Sequence, residues 1–337
     1  MAKKTHHVII GSGAAGSYCA LKLRELDRTS SITLISREPY HFYHKFALPD
    51  YISGKIRKEI LFEDKVNTFI DAGITLRLSQ EVTRIDTDNK AIYLAHREKT
   101  SYDKLLIATG VHSFVPAAYK HFAPMFSFLN NLEDAESLSA EAKKLKSTLI
   151  IGGGLTSIKL ALALTAAGNS VDYLLYKRKT IKLLADEAAM AIIEELLSKE
   201  QVIIIEDTDI KYIEETGKGY FVTFSSGKKQ SYTAIVAGFG VQPNIKLAHK
   251  AGIDCDFGVL VNEYFETSKK DVYAAGDSAQ IYNPTIRDYW VNFGWPNAVA
   301  QGKLAARNMC GKKTAYDTNR VNVLDIKGTK INFRNWE

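Results

Sequence analysis

Cysteine is scarce in this sequence, and its spacing argues against several kinds of site. The 337 residues include only Cys19, Cys255 and Cys310, and no two of them form a CxxC or CxxxxC pair. A disulfide framework is therefore not expected, and a reducing compartment fits better. His41 and His44 have a possible metal spacing, but no Cys, Asp or third His joins them in a recognisable set. We expect no metal site.

Long apolar runs and a strong charge imbalance are also missing. No stretch approaches the ~20 apolar residues of a membrane span, and the first apolar run stops at Gly11, too short for a signal peptide. We expect a cytoplasmic chain. The net charge is only +6, which suits a solvated surface or an acidic protein partner. No Lys/Arg run is interleaved with aromatic residues, so nucleic acid is not expected as a partner.

Two strand–turn–helix–strand patterns are present in a chain long enough for two domains. The first reads "HHVII", "GSGAAG", "SYCALKLREL", "SITLIS". Gly11, Gly13 and Gly16 complete G-x-G-x-x-G, which allows a tight turn, approach of a pyrophosphate and close helix–strand packing. This pattern predicts dinucleotide binding. The second strand ends at Ser36 instead of an acid, so Glu38 either binds the ribose or is a surface residue.

The second pattern, "STLII", "GGG", "LTSIKLALALTAAG", "NSVDYLLY", has an altered glycine turn. Ser157 occupies the place of the third glycine, and a small residue is tolerable there because that glycine serves mainly packing. Leu175 stands where a ribose-binding acid is usual, and Lys177 and Arg178 follow shortly after it. Cations without a carboxylate favour NADPH over NADH. A solvated turn or an inactive site stays open as an alternative.

Further motifs occur in a fixed order and carry a resemblance. They are "YDKLLIATG" (102–110), "IIGGG" (150–154), "GFGVQPN" (238–244), "DVYAAGDSA" (271–279) and "WPNAVAQGKLAARN" (295–308). With the first glycine turn they resemble the FAD-dependent pyridine nucleotide-disulfide oxidoreductases over roughly residues 5–325. Residues 40–55 contain no cysteine, so the chain looks most like the rubredoxin and ferredoxin reductase branch, which lacks redox cysteines.

The resemblance implies an α/β fold of two interleaved three-layer Rossmann-like dinucleotide-binding domains. Residues 1–113 and 246–317 would form the FAD-binding domain, and residues 114–245 the NAD(P)H-binding domain. Residues 318–337 would be a remnant of a C-terminal interface domain that is reduced or absent. The resemblance leaves the oligomeric state open.

The resemblance also implies two sets of cofactor-binding residues. The FAD set is Gly11, Gly13, Ala14, Ala15, Gly16, Glu38, Lys45, Ala108, Thr109, Gly110, Gly276, Asp277, Trp295 and Pro296. The nicotinamide dinucleotide set is Gly152, Gly154, Leu155, Thr156, Lys177, Arg178 and Gly240. Lys45 would reach the ribose–pyrophosphate part and Asp277 the ribityl or pyrophosphate region. The helix near Pro296 would direct its positive end at the flavin pyrimidine and stabilise negative charge there.

Asp50 and Lys159 are the candidate catalytic residues. Relatives usually have a Glu at the place of Lys159, paired near flavin N5 with a Lys from the segment that here carries Asp50. The two charges are exchanged in this chain, and a reciprocal exchange avoids an unpaired buried charge, which costs roughly 3–5 kcal/mol. The alternative is that each residue is independently exposed.

The implied activity is that of an FAD-dependent NAD(P)H oxidoreductase. Hydride would pass from NAD(P)H to flavin N5, and electrons would then pass to an acceptor such as rubredoxin or ferredoxin. Two alternatives stay open. One is a quinone-reducing, NADH dehydrogenase-like enzyme. The other is a non-enzymatic flavin-binding redox sensor or interaction protein with a degenerate nicotinamide site.

Overall fold

The computed structural model describes residues 4–62, 66–142, 144, 146–175, 187–317, 322–326 and 329–333. The chain divides into two compact units that alternate along the sequence. Unit 1 consists of Met1–His44, Phe62–His112 and Gln242–Arg320, and unit 2 of Lys45–Leu61, Ser113–Val241 and Val321–Glu337. The segment 45–61 belongs to unit 2, whereas the predicted FAD domain of residues 1–113 includes it. Which nucleotide each unit binds stays a prediction.

Unit 1 is built on a five-stranded parallel sheet with the order β18-β7-β1-β2-β3. Its elements are β1 (His6–Ile10), α1 (Ala14–Leu26), β2 (Ser31–Ile35), α3 (Val66–Asp71), β3 (Ile74–Arg77), β4 (Val82–Asp86), β5 (Ala91–Leu94), β6 (Lys99–Ser101), β7 (Lys104–Ile107), α7 (Lys246–Lys250), β17 (Val259–Val261), β18 (Val272–Ala274), β19 (Ala279–Asn283), β20 (Asp288–Trp290) and α8 (Trp295–Met309). β4-β5-β6 form an antiparallel meander, and β17-β19-β20 form a mixed sheet.

Unit 2 is built on a four-stranded parallel sheet with the order β11-β10-β9-β15. Its elements are α2 (Leu48–Ile52), α4 (Leu132–Ala142), β9 (Ser147–Gly152), α5 (Leu155–Ala166), β10 (Ser170–Leu175), α6 (Glu187–Lys199), β11 (Ile203–Ile205), the meander β12 (Ile210–Thr216), β13 (Gly219–Phe224) and β14 (Lys229–Tyr232), then β15 (Ala234–Gly238) and the hairpin β21 (Asn322–Ile326) with β22 (Thr329–Phe333). 3₁₀ turns cover Lys45–Ala47, Lys58–Leu61 and Ala117–Met125. β8 (Val111–Ser113) pairs with β16 (Val241–Pro243).

Continuous apolar runs explain the two parallel sheets. In β1 the side chains of Val8, Ile9 and Ile10 are all buried, and in β9 the same holds for Leu149, Ile150 and Ile151. Strands covered on both faces need apolar residues at consecutive positions, whereas strands with one solvated face alternate. The predicted α/β fold with two Rossmann-like parallel sheets is confirmed. In the described part of the chain, no helix is long and apolar enough to cross a membrane.

Candidate dinucleotide-binding sites

The first glycine turn joins β1 to α1, and its glycines serve two different purposes. Gly11 has a φ of +110°, and a Cβ added there would lie 2.1 Å from the carbonyl oxygen of Ala108. A Cβ on Gly16 would lie 1.9 Å from the carbonyl oxygen of Gly11. Around Gly13 nothing lies within 4 Å of the added atom. Gly11 and Gly16 are therefore required by packing, while Gly13 leaves open space beside its backbone.

The first turn of α1 suits a phosphate group. Its N-cap, Gly13, provides no side-chain cap, and the first turn contains no acidic residue. The amides of Ala14, Ala15 and Gly16 precede the first intrahelical hydrogen bond, from Ser17 N to the Gly13 oxygen. Such N–H groups lack intrahelical partners and form the positive end of the helix dipole. The open backbone and uncapped helix fit the pyrophosphate of FAD.

The turn after β7 is held by a residue whose role the sequence did not assign. Asn244 Nδ2 donates to the Thr109 oxygen (2.8 Å), and Asn244 N donates to the Gly110 oxygen (2.9 Å). The Thr109 hydroxyl donates to the Asn244 oxygen in return (2.9 Å). Ala108 N bonds to the Ile10 oxygen, so this turn adjoins the end of β1. Asn244 lies within the quoted motif "GFGVQPN", which was the available signal.

Glu38 follows β2, whose carboxyl end lies next to that of β1 because the two strands are parallel neighbours. Its backbone N–H donates to Ser36 Oγ (3.2 Å), and its carboxylate accepts a hydrogen bond from the Tyr43 hydroxyl (2.7 Å). Tyr43 is buried and fixes the direction of the carboxylate. Glu38 therefore has the location of a ribose-binding acid, although β2 itself ends at Ile35. The ribose contact stays a prediction.

The turn 275–278 and the start of α8 form the other part of the predicted FAD set. Gly276 has a φ of +77°, which favours glycine. Asp277 Oδ1 accepts a hydrogen bond from the N–H of Gly294 (3.0 Å), the N-cap of α8. Pro296 lies in the first turn, as predicted, and this turn has neither a side-chain cap nor an acid. A second uncapped helix terminus is thus tied to the Asp277 carboxylate.

Trp295 begins α8 and is half-buried in an aromatic cluster. Its ring meets the Tyr18 ring edge-on at a centroid distance of 6.3 Å and the His44 ring at 5.8 Å. Phe42 joins the cluster, with its ring 5.6 Å from Tyr18 and 5.1 Å from His44. Packing therefore accounts for part of the role of Trp295. Its contact with the flavin stays a prediction.

The second glycine turn, between β9 and α5, repeats the features of the first. Gly154 is the N-cap of α5, without a side-chain cap or an acid in the first turn, and Leu155 and Thr156 begin the helix. Nothing lies within 4 Å of a Cβ added at Gly154, nor at Gly240, whose φ is +118°. The backbone is therefore open to a pyrophosphate here as well.

Ser157 is accommodated by two glycines on neighbouring strands. A Cβ on Gly152 would lie 2.4 Å from Ser157 Oγ, and a Cβ on Gly238 would lie 2.2 Å from the same atom. Gly152 and Gly238 are partners in the pairing of β9 with β15. A third glycine on the helix would leave room by lacking a side chain. Here the two strand glycines lack side chains and leave room for Ser157. The altered turn keeps close helix–strand packing without its third glycine.

The preference for NADPH was predicted from the residues at and after the end of β10. Leu175 is buried at the end of β10 and carries no polar atom for a ribose. Lys177 and Arg178, predicted to bind a 2′-phosphate, lie outside the described residues. Their role stays a prediction.

Lys45, Asp50 and Lys159 all lie in unit 2. Lys45 Nζ donates to the Asn130 oxygen (3.3 Å). Asp50 lies on α2, and its Oδ1 is 3.2 Å from Lys55 Nζ in a pair that is largely exposed. Helix α2 packs against α5, which carries Lys159. The predicted pairing of Asp50 with Lys159 therefore involves two adjacent helices, and it stays a prediction.

The cysteines are not arranged for thiol chemistry. Cys19 is fully buried in α1 with its Sγ 3.9 Å from Met309 Sδ, and all three cysteines are free. Burial raises the pKa of the Cys19 and Cys310 thiols and raises that of Cys255 to about 11. A thiol with a raised pKa is a poor nucleophile at neutral pH. Across the part of the chain that the structure describes, no cluster of three metal-ligating side chains occurs.

A profile of the pyridine nucleotide-disulphide oxidoreductase family matches residues 5–302. The chain belongs to this family. Membership confirms the predicted family, the oxidoreductase class and the dependence on FAD and a nicotinamide nucleotide.

Two curated relatives and two solved structures are similar to the chain. The assimilatory nitrate reductase electron transfer subunit of Bacillus subtilis (strain 168) is 28% identical, over 92% of this chain and 39% of its own length. The nitric oxide reductase FlRd-NAD(+) reductase of Shigella flexneri is also 28% identical, over 91% of this chain and 79% of its own. The chain thus spans well under half of the first relative.

The solved structures support the fold. The covalent putidaredoxin reductase–putidaredoxin complex gives a TM-score of 0.88 at 24% identity, over 98% of this chain and 81% of that one. The water-forming NADH oxidase from Lactobacillus brevis bound to NADH gives a TM-score of 0.87 at 20% identity. The match covers 98% of this chain and 75% of that one.

Proposed function

We propose that the chain oxidises NADH or NADPH and passes the electrons through FAD to a separate small electron-carrier protein of the rubredoxin or ferredoxin type. The observation that carries the proposal is an open, uncapped glycine turn in each of the two units, at Gly13 and at Gly154. Two such turns provide for two dinucleotides. The free cysteines fit action in the cytoplasm.

The residues of the chain bind and orient the two nucleotides. When bound, FAD supplies the redox chemistry, taking a hydride from the nicotinamide and releasing electrons to the acceptor. The first turn of α1 holds the FAD pyrophosphate, and Glu38, directed by Tyr43, hydrogen-bonds the ribose. Asp277 binds the ribityl or pyrophosphate region. The first turn of α5 holds the pyrophosphate of the nicotinamide nucleotide.

Asp50 and Lys159 form part of the proposal as an exchanged charge pair beside the nicotinamide. The packing of α2 on α5 supports it. Lys55 competes for the same carboxylate at 3.2 Å, and exposed ion pairs of this kind contribute little. Breaking the contact between Lys55 and Asp50 would therefore cost little free energy.

Rapid mixing under anaerobic conditions tests the activity. We expect the visible absorbance of the bound flavin to bleach when the protein is mixed with NADH or NADPH. Faster bleaching by NADPH would support the role of Lys177 and Arg178; the Shigella relative, named for NAD(+), suggests comparing both. No bleaching by either nucleotide, with FAD bound, would contradict the proposal and support a redox sensor or interaction protein.

Gly154→Val is the matched variant for that experiment. Gly154 has an extended backbone, with φ −103° and ψ 168°, which valine adopts readily. The added side chain occupies the open space beside the helix terminus and hinders the pyrophosphate. We expect unchanged FAD content and a rise in the KM for the nicotinamide nucleotide of about tenfold or more, since lost hydrogen bonds to a charged group cost about 1.5–3 kcal/mol each.

The outer face of α8 is the proposed docking surface for the electron carrier. A shallow, mostly apolar groove of about 500 Å³ lies on this helix and is lined by Trp295, Pro296, Val299, Ala300, Lys303 and Leu304. Lys303 also lies 5.1 Å above the Tyr18 ring of α1. The pKa of the Glu25 carboxyl is lowered by its hydrogen bond from Lys22, and by the charges of Arg307 and Lys303. Three cations and one carboxylate beside an apolar groove suit a small acidic protein.

Lys303→Glu tests this surface. We expect kcat/KM for reduction of rubredoxin to fall about fivefold to tenfold at low ionic strength, with the difference shrinking as salt is added. Reduction of a small neutral quinone should not change. The control is Lys270→Glu, because Lys270 precedes β18, at the opposite end of that strand from Asp277. Equal loss in both variants, or none in either, would contradict the proposed surface.

A further inference from the structure

Gln301 is a fully buried amide in the middle of α8, and both ends of the amide are used. Its Oε1 accepts a hydrogen bond from the backbone N–H of Gly276 (2.7 Å), and its Nε2 donates to the backbone oxygen of Asn292 (3.3 Å). One side chain thus joins the turn that carries Asp277 to the segment that leads into α8. A buried polar side chain with these partners is costly to replace, because the partners would be left unsatisfied.

Gly302, the residue after Gln301, brings the first turn of α1 close to the same part of α8. A Cβ on Gly302 would lie 2.2 Å from the oxygen of Ala15, so α8 approaches the first turn of α1 as closely as backbone allows. A Cβ on Gly276 would lie 2.8 Å from the Ala15 Cβ. The first turn of α1, the turn 275–278 and α8 therefore meet around Gln301 and Gly302.

We infer that Gln301 is a positioning residue for FAD, which fixes Asp277 and the start of α8 relative to the first glycine turn. The hydrogen bond from Gly294 N to Asp277 Oδ1 also joins the turn to the start of α8, but it involves exposed backbone. The Gln301 bonds lie in the protein interior, where a hydrogen bond is stronger than in water. Their loss weakens the connection between the turn and α8.

Two measurable consequences follow from that role. Looser positioning of Asp277 weakens FAD binding. A displaced α8 terminus places its dipole less favourably for negative charge on the reduced flavin, so the reduction potential becomes more negative. This inference rests on FAD binding only. A protein that binds FAD but is not reduced by NAD(P)H would refute the proposed activity and leave the role of Gln301 standing.

The first test is Gln301→Met, which keeps the size of the side chain and removes both hydrogen bonds. The control is Asn308→Met on the same helix. Asn308 is also buried and bonds the oxygens of Tyr264 and Thr314 and the Thr314 N–H, away from the turn 275–278. Flavin fluorescence titration of the apoprotein gives the FAD dissociation constant, and dye-coupled reductive titration of the holoprotein gives the potential.

We expect Gln301→Met to raise the FAD dissociation constant at least tenfold and to make the potential more negative. Asn308→Met should lower the melting temperature and leave both quantities unchanged. The inference is overturned if Gln301→Met binds FAD within twofold of the unmodified protein, if its potential does not move, or if Asn308→Met weakens FAD binding equally.

Gln301→Glu provides a second, independent test if the Met variant fails to fold. A protonated glutamic acid has the shape of glutamine and can make both hydrogen bonds, whereas the ionised form cannot donate to Asn292. Burial favours the protonated form. We expect the FAD affinity of this variant to approach that of the unmodified protein as the pH falls from about 8 to about 6. A pH profile parallel to that of the unmodified protein would overturn the inference.

Discussion

Gly13→Ala is expected to fold as stably as the unmodified protein and to lose FAD. The backbone at Gly13 has φ −69° and ψ −174°, which alanine adopts without strain, and nothing lies within 4 Å of the added Cβ. Alanine reduces the entropy of the unfolded chain but is a poorer helix N-cap than glycine, so the free energy of unfolding should change by less than about 1 kcal/mol.

The effect of Gly13→Ala on FAD should be large, because the methyl group fills the space through which the pyrophosphate approaches α1. Losing one charge-assisted hydrogen bond costs about 1.5–3 kcal/mol, so the FAD dissociation constant should rise about tenfold to a hundredfold. Urea unfolding of the apoprotein measures stability, and quenching of flavin fluorescence measures affinity. Unchanged FAD affinity would contradict the assignment of this turn.

Gly16→Ala is the matched variant three residues away, and it should reduce the stability of the protein, whereas Gly13→Ala should reduce its affinity for FAD. Its Cβ would lie 1.9 Å from the Gly11 oxygen, which is backbone and cannot move aside. Overpacking of this kind costs about 1–3 kcal/mol and sometimes more, so the apoprotein itself should be destabilised. If the two variants lost stability equally, the division of the turn into packing and binding glycines would be wrong.

The sequence predicted the glycine turns because all their parts lie within one short segment. The spacing of G-x-G-x-x-G at Gly11–Gly16 is visible within one segment, and the structure shows the expected strand, turn and helix, although the Ala108 carbonyl that Gly11 approaches lies after β7. The apolar runs that form β1 and β9 are equally local. The fold class and the strand–turn–helix geometry at the glycines could therefore be obtained from the sequence, and cofactor binding at these glycines stays a prediction.

Compensation between distant segments could not be predicted in the same way. The consequence of Ser157 depends on Gly238, which lies on a strand paired with β9. The roles of Gln301 and Gly302 depend on Gly276 and Ala15, from two other segments of unit 1. A single sequence shows these residues but not that they touch.

A local contact of Asp50 was also not visible in the sequence pattern. A pairing with Lys159 was expected from the exchanged charges, and Lys55, only five residues along the chain, contacts the same carboxylate. A nearby lysine forms such a contact at little entropic cost. Sequence patterns give the charges of a site, but the choice among several cations depends on distances.

His7 is expected to make the protein labile in mild acid. It lies in β1 with 2% of its surface exposed, and burial lowers its pKa from 6.5 to about 4. The charges that act on the ring are Asp27 and Asp103, which favour protonation, and Lys104 and His6, which oppose it. Because the unfolded chain takes up this proton first, stability is fully present above pH 6.5 and falls as the pH decreases toward 4.

The size of that loss follows from the shift in pKa. A lowering from 6.5 to about 4 corresponds to roughly 3 kcal/mol of unfolding free energy lost between these two pH values. His7→Leu removes the buried imidazole that the folded protein keeps neutral. Urea unfolding of this variant at a series of pH values should therefore show a much smaller loss of unfolding free energy in acid. His249→Leu, which changes an exposed histidine on α7, should keep the acid loss of the unmodified protein. If His7→Leu lost stability in acid as steeply as the unmodified protein does, a group other than His7 would control the acid transition.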